Sequence, residues 1–275
     1  MISAHRIEYR GYSSVDFDLI TCLSFESDDG EVNSFLTREA VASESYRGEV
    51  KRIHNFKYTE TFNPKFTFIK DGFGDFSTEE IRKVLRWLTS GTNASFLTVY
   101  NDDSNVVHFE ILGAFSNVSL YKLGNGRCVG FVAEFASSAP WAFSPLQTIT
   151  HPITDETSDT FSIQIDSDDE ENAIYPRITI RKRGSGDVIV TNTYADKNQQ
   201  SHMATLQLKN NGDGETISVD GANRVISSSH TNRIFGDDFV GWSWLPLYNG
   251  TNTITVAGNC TITFEWREPR KVGEF

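Results

Sequence analysis

Apolar residues fall at helical spacing in one stretch of the chain and at every second position across most of the rest. The helical stretch lies within residues 66–102. Ser77 followed three residues later by Glu80 is a capping box, in which each side chain satisfies a backbone N–H that the first turn leaves without a partner. Phe76 just before it and Ile81 just inside supply a hydrophobic staple. Ile81, Val84, Leu85 and Leu88 recur at i, i+3, i+4 and i+7, while Glu79, Arg82, Lys83 and Arg86 fall on other faces. Gly91 is expected to end the helix. Runs at 66–69 and 96–100 have strand character, so the pattern predicts one helix of about three turns laid across a sheet.

Everything else reads as β or as turn. Val15, Phe17 and Leu19 alternate ahead of Asp28, Asp29 and Gly30, a hairpin-type turn. Residues 34–58 mix Arg38, Arg47, Lys51 and Arg52 with Glu39, Glu44 and Glu49 without a clear period, which predicts a solvated loop or long arm. Past the helix, β-patterned runs at 106–112, 118–123 and 127–135 flank Asn125 and Gly126, which predict a two-residue hairpin turn with positive φ at both central positions. Gly124, Gly126 and Gly130 lack the spacing and the following helix of a phosphate-binding loop, so they read as turn glycines.

Pro140 and Pro145 break the pattern, and the boundary between two domains is expected between 144 and 152. The second half holds short candidate strands at 161–165, 174–181, 187–190, 203–208 and 217–219, separated by clusters such as the Asn-Asn-Gly-Asp-Gly run at 210–214. Ile254 and Val256, then Ile262, Phe264 and Trp266, alternate with Thr253, Thr255, Thr261, Thr263 and Glu265, giving each run one apolar and one polar face. The fold class expected is mainly β with one helix: an α+β domain over 1–145 and a two-sheet β-sandwich over 146–275.

Composition narrows the function. With 38% hydrophobic residues and 20 Phe, disorder over most of the length is excluded. The opening MISAHRIEYRGY has no apolar signal-peptide core, and no apolar run reaches the roughly 18 residues of a membrane helix. Synthesis in the cytoplasm is therefore expected. A formal net charge of -12 has the wrong sign for gripping phosphate backbones, although Arg181, Lys182 and Arg183 form a local basic patch. Cys22, Cys128 and Cys260 are odd in number and far apart, which predicts buried free thiols rather than a disulfide framework or zinc site.

The six histidines show no HExxH or other short ligand spacing, and no GxSxG or Walker loop occurs, so neither catalysis nor a cofactor is expected. Asp166, Asp168, Asp169, Glu170 and Glu171 have oxygens enough for calcium but lack the glycine and spacing of an EF-hand, which favours a solvated turn. Trp242 and Trp244, two apart, would share one face of a strand and offer a saccharide-stacking platform, or simply core. Trp87, about 100° from the centre of the helix stripe, is expected to cover the flank of the core or reach a neighbouring subunit.

Three stretches in succession, 66–102, FVAEFASSAPWAFSP at 131–145 and WLPLYNGTNTITVAGNCTITFEWREPRK at 244–271, together resemble the distal tail protein (Dit) family of long-tailed, non-contractile bacteriophages. The resemblance covers both halves in the same order. It implies an N-terminal domain that assembles into a homohexameric ring and a galectin-like C-terminal sandwich facing outward. Such a ring joins the tail tube protein to the tail-associated hub or lysin protein and to the receptor-binding apparatus, in the virion, with DNA passing through its lumen. Subunit contacts are expected from residues such as Trp87 and Arg47. The alternative is a carbohydrate-binding adhesin module that recognises a host cell-wall saccharide through Trp242 and Trp244. A wall-degrading enzyme would need a carboxylate pair that the sequence does not single out.

Overall fold

The computed structural model describes residues 6–24, 38–44, 51–58, 61, 63–100, 106–124, 126–154, 158–195, 200–233, 236–240 and 243–271. The chain divides into two compact units, Met1–Phe143 together with Arg270–Phe275, and Ser144–Pro269. The expected turn at Asp28 to Gly30 lies outside the described residues. None of the described helices is long and apolar enough to cross a membrane.

The first unit contains β1 (Arg6–Tyr9), β2 (Tyr12–Ser13), β3 (Leu19–Ser24), β4 (Arg38–Glu44), β5 (Lys51–Tyr58), β6 (Lys65–Lys70), α1 (Thr78–Thr89), β7 (Ser95–Tyr100), β8 (Val107–Lys122), β9 (Cys128–Ser137) and β10 (Ala142–Phe143). Its main sheet runs in the order β2-β1-β7-β8-β9-β6-β3, with β10 added beside β8. Strands β4 and β5 form a separate two-stranded ribbon. Val15 and Phe17 do not extend a strand: Ser14–Phe17 is a turn of 3-10 helix capped by Ser13.

Helix α1 starts where the pattern places it. Glu80 N–H donates to Ser77 Oγ at 3.3 Å and Ser77 N–H to Glu80 Oε2 at 2.7 Å, closing the capping box. Its end differs from the expectation. The C-cap is Ser90 at φ -75°, and Gly91 does not take the left-handed conformation. Gly91 instead lies under the guanidinium of Arg10, whose Nη2 donates to the Asn93 carbonyl; a Cβ there would displace only the flexible end of that side chain. Val84, Trp87 and Leu88 are the buried helix residues, so the inward face is turned toward Trp87.

Helix and sheet enclose an aromatic core. Tyr9, Phe115 and Phe135 pack edge to face with centroids 5.1–5.9 Å apart, and Phe76 meets Phe131 at 4.9 Å. The two runs expected at 106–112 and 118–123 are one continuous strand, β8. A bulge between Phe115 and Asn117 shifts its register, so that the core-facing positions change from the buried odd positions 109, 111, 113 and 115 to the partly buried even positions 118 and 120. The β8–β9 hairpin is present, with Gly126 at φ 82°. It is longer than a two-residue turn, since Leu123 N–H donates to Arg127 O and Gly126 N–H to Leu123 O. Asn125 lies outside the described residues.

The second unit is a sandwich of β11 (Gln147–Ile153), β12 (Ser158–Ile165), β13 (Arg177–Lys182), β14 (Gly186–Ala195), β15 (Ser201–Asn211), β16 (Thr216–Asp220), β17 (Val225–Ser228), β18 (Phe239–Val240), β19 (Gly250–Ala257) and β20 (Cys260–Trp266). One sheet runs β11-β20-β13-β16-β17 and the other β12-β19-β14-β15-β18. Strands β19 and β20 thus belong to opposite sheets, and their alternating apolar residues meet across the core with Ile178, Ile180, Val188, Val190, Leu206 and Leu208. The stretch expected as a boundary at 144–152 is largely strand: β11 is an edge strand, where the missing N–H of Pro152 breaks no interior ladder. Cys128 and Cys260 are free and buried. Burial pushes the Cys260 thiol up to about 11.

Candidate functional site

The ribbon of β4 and β5 replaces the solvated loop or arm expected at 34–58, over its described residues. Its register pairs Ala40 with Phe56 and Val41 with Asn55, then Ala42 with Ile53, leaving His54 as a bulged residue. The bulge carries Ile53 onto the face that holds Phe56 and Tyr58, together with Ala40 and Ala42. Glu39 and Lys57 fall on the opposite face, where Ser43 Oγ lies 2.6 Å from His54 Nε2. Ile53 and Phe56 are about half exposed, at 54% and 48%. Near the ribbon's base, Tyr58 packs edge to face on Trp141 at 5.2 Å. The ribbon therefore presents an apolar strip on a two-stranded element. Arg47, expected at a subunit contact, falls between β4 and β5, outside the described residues.

Trp87 belongs to the core. It is 5% exposed, stacks on Phe17 at 4.7 Å, and its indole N–H donates to the Tyr9 carbonyl at 2.9 Å. Those contacts leave little of the ring for a neighbouring subunit.

The saccharide platform expected from Trp242 and Trp244 is not supported as drawn. Trp242 is outside the described residues, and Trp244 is on no strand: it and Leu245 take left-handed backbone, at φ 53° and 47°. Period-two face sharing does not apply to such a backbone. Trp244 is half-buried and packs against the sandwich core.

In the acidic run at 166–171, Asp169 N–H donates to Ser167 Oγ, Ser167 N–H to Asn249 Oδ1, and Asn172 Nδ2 to both carboxylate oxygens of Asp169. Among the described residues no group of three or more His, Cys, Asp or Glu is arranged to share a metal ion.

One charged cluster had no signal in the sequence. Glu215 is fully buried, and its Oε1 lies 3.0 Å from Arg233 Nε and accepts from Ser228 Oγ at 2.6 Å. Arg233 also donates to the Lys209 and Asn210 carbonyls and to Asn211 Oδ1. These bonds fasten the segment after β17 to the end of β15. Buried charges with this many partners are positional, and their nearest sequence cue is the turn cluster at 210–214.

Compared with known proteins, residues 2–139 match the family described as phage tail protein N-terminal domain, and residues 141–266 match the phage tail C-terminal domain. Among solved structures the chain is similar to the Dit (gp 19.1) protein of SPP1, described as a paradigm of the hub adsorption apparatus in phages infecting Gram-positive bacteria. That likeness has a TM-score of 0.60 at 13% identity, over 95% of this chain and 98% of that one. A chain of the phage P2 baseplate in its activated conformation with Ca is similar at a TM-score of 0.56 and 8% identity, over 99% of this chain and 100% of that one. At such identities the likeness is one of fold. No curated protein matches the chain by sequence.

Proposed function

We propose, since this chain belongs to the phage tail protein family, that it is the structural ring of a tail tip. Six copies close through the first unit at the end of the tail tube, and the second unit faces outward. The ring joins the tube protein to the hub or lysin protein and to the receptor-binding apparatus, and DNA crosses its lumen in transit. The role is architectural and asks for no catalysis or cofactor.

The observation that carries this reading is the family match over both units in order, and the fold likeness to SPP1 Dit over nearly the whole of both chains supports it. Ring closure needs two different surfaces that fit each other on successive copies. The first unit offers such surfaces in the apolar strip of the β4–β5 ribbon and in β3, which borders the main sheet and pairs with β6 alone among the described strands. An isolated two-stranded ribbon is marginal in water, so covering its apolar face by the next copy stabilises both. A net charge of -12 per copy suits a conduit that lets DNA pass without holding it.

Light scattering across a concentration series tests the assembly. A species near six times 30.9 kDa is expected. A chain that stays monomeric at every concentration, and also when mixed with the tail tube protein, would refute the ring.

A further inference from the structure

After β6 the chain turns through Gly72 at φ 75° and Phe73 at φ 57°, and the Phe73 ring is left 82% exposed. A bulky side chain on left-handed backbone is rare. The turn is firmly held. Asp71 N–H donates to the Asp18 carbonyl at 2.8 Å, Phe76 N–H to the Cys128 carbonyl at 2.9 Å, and Lys70 Nζ to the Asp75 carbonyl at 3.1 Å and to Glu80 Oε1 at 2.7 Å, while Asp75 is ion-paired with Arg127. A strained conformation that its surroundings fix, with an aromatic ring turned out to water, is the form of an interface anchor.

The same bonds bring other exposed apolar residues to this end of the sheet. The Asp18 contact draws in the 3-10 turn that carries Val15, and the Arg127 and Cys128 contacts draw in the β8–β9 hairpin that carries Leu123. The charges around them do not cancel. Asp75 is taken up by Arg127 and Glu80 by Lys70, which leaves exposed Asp16, Asp18 and Asp71 against Lys122. The result is an apolar knob in an acidic rim. The β4–β5 ribbon has the opposite character: its apolar strip is carried on strands whose charged residues are Arg38, Lys51, Arg52 and Lys57 against Glu39 and Glu44. The two surfaces also lie at opposite ends of β6. Tyr58 on Trp141, and Ser137 N–H donating to Asn63 Oδ1, fix the ribbon's base near Lys65, about 17 Å along the strand from Lys70 and the knob.

We infer that the ribbon of one copy covers the Phe73 knob of the next. The inference rests on the ring reading and identifies the surface that receives the ribbon. Ile53 and Phe56 are exposed on the ribbon and Phe73 on the knob, so the ribbon does not cover the knob of its own copy. Across two copies the apolar strip closes over the Phe73 ring, and the basic strands face the Asp16, Asp18 and Asp71 rim. Charge also sets the direction of the contact. Ribbon against ribbon and knob against knob each oppose like charges, which disfavours a two-fold dimer and favours head-to-tail succession. The edge strand β3 begins one residue after Asp18, so the covered surface is continuous with that edge.

The test places the photoreactive p-benzoylphenylalanine at position 73 of the full chain. Isotopically heavy and light chains are mixed, alone and with the tail tube protein, and the cross-linked peptides are mapped. Links from position 73 to residues 53–58, joining heavy to light chains, are expected. Phe73→Asp should raise the concentration at which half the chains are assembled tenfold or more, with the melting temperature of the dilute chain unchanged. Mixed with the Ile53→Asn, Phe56→Ser double variant, Phe73→Asp should give a species near twice 30.9 kDa and nothing larger, because only one productive contact remains between the two. Links that land outside the ribbon, no links between chains in either mixture, or a Phe73→Asp chain that assembles like the parent would overturn the inference. Assembly to full mass with links elsewhere would leave the ring standing without this contact, whereas links into the ribbon in chains that never close would support the contact and count against the ring.

Discussion

Val84 sits where the helix stripe meets the aromatic core and is 1% exposed. Replacing it with aspartate buries a carboxylate within the hydrophobic cluster of the first unit, at a cost of about 3 kcal/mol or more. Thermal melting of Val84→Asp should therefore lie far below the parent; coincident melts would mean that another face of the helix points inward. At this scale the sequence was informative where chemistry is local. Ser77 and Glu80 carry their role in their spacing, and both bonds of the box form. It was uninformative where the backbone departs from a regular period. Trp244 looks like half of a strand-face pair until its left-handed φ of 53° removes the strand. Trp87, off the stripe's centre, turns inward because Phe17 offers it a parallel ring and Tyr9 a carbonyl, partners 70 and 78 residues away that no local window contains.

The elements show the same division. Helix α1 and strands β19 and β20 follow from periodicity, while β8 and the β4–β5 ribbon do not, because each bulge moves the apolar phase by one residue and makes a continuous strand look interrupted or aperiodic. The helix start also sets a pH dependence. Glu80 is held down to about 2 by hydrogen bonds from the Lys70 ammonium and then from the Ser77 backbone and hydroxyl, against an ordinary value of 4.5. A folded value below the unfolded one means that its contribution is complete above pH 4.5 and is lost as the pH falls through about 2. Between those limits Glu80→Gln should show a flatter dependence of melting temperature on pH than the parent, and parallel curves would argue against the capping role. In the ribbon, Ile53 and Phe56 are about half exposed, so covering either contributes about 1 kcal/mol per interface, repeated at every contact of a closed ring. Ile53→Asn combined with Phe56→Ser should lower the mass seen by light scattering while leaving the melting of the main sheet unchanged. An undiminished mass would move the ring contact elsewhere, with the β3 edge as the next surface to alter.

At the level of the whole chain, the two units bury separate hydrophobic clusters, one aromatic and crossed by a helix, the other aliphatic between two sheets. Two fold classes in succession were legible, because runs with a period of two need only be counted, and one helix among them marks the first unit. Which strands pair was not. Strands β19 and β20, separated by Gly258 and Asn259, look like a hairpin but cross from one sheet to the other, and β11 joins β20 from more than a hundred residues away. Separate cores carry a consequence for assembly. A fragment of residues 144–269 contains both five-stranded sheets and the Glu215–Arg233 cluster, so it should fold alone and melt in one cooperative transition. Because the ring contacts are assigned to the first unit, this fragment should remain monomeric at concentrations where the full chain reaches its assembled mass. A fragment that itself forms the full-sized assembly would place the ring in the sandwich and reverse the roles of the two units.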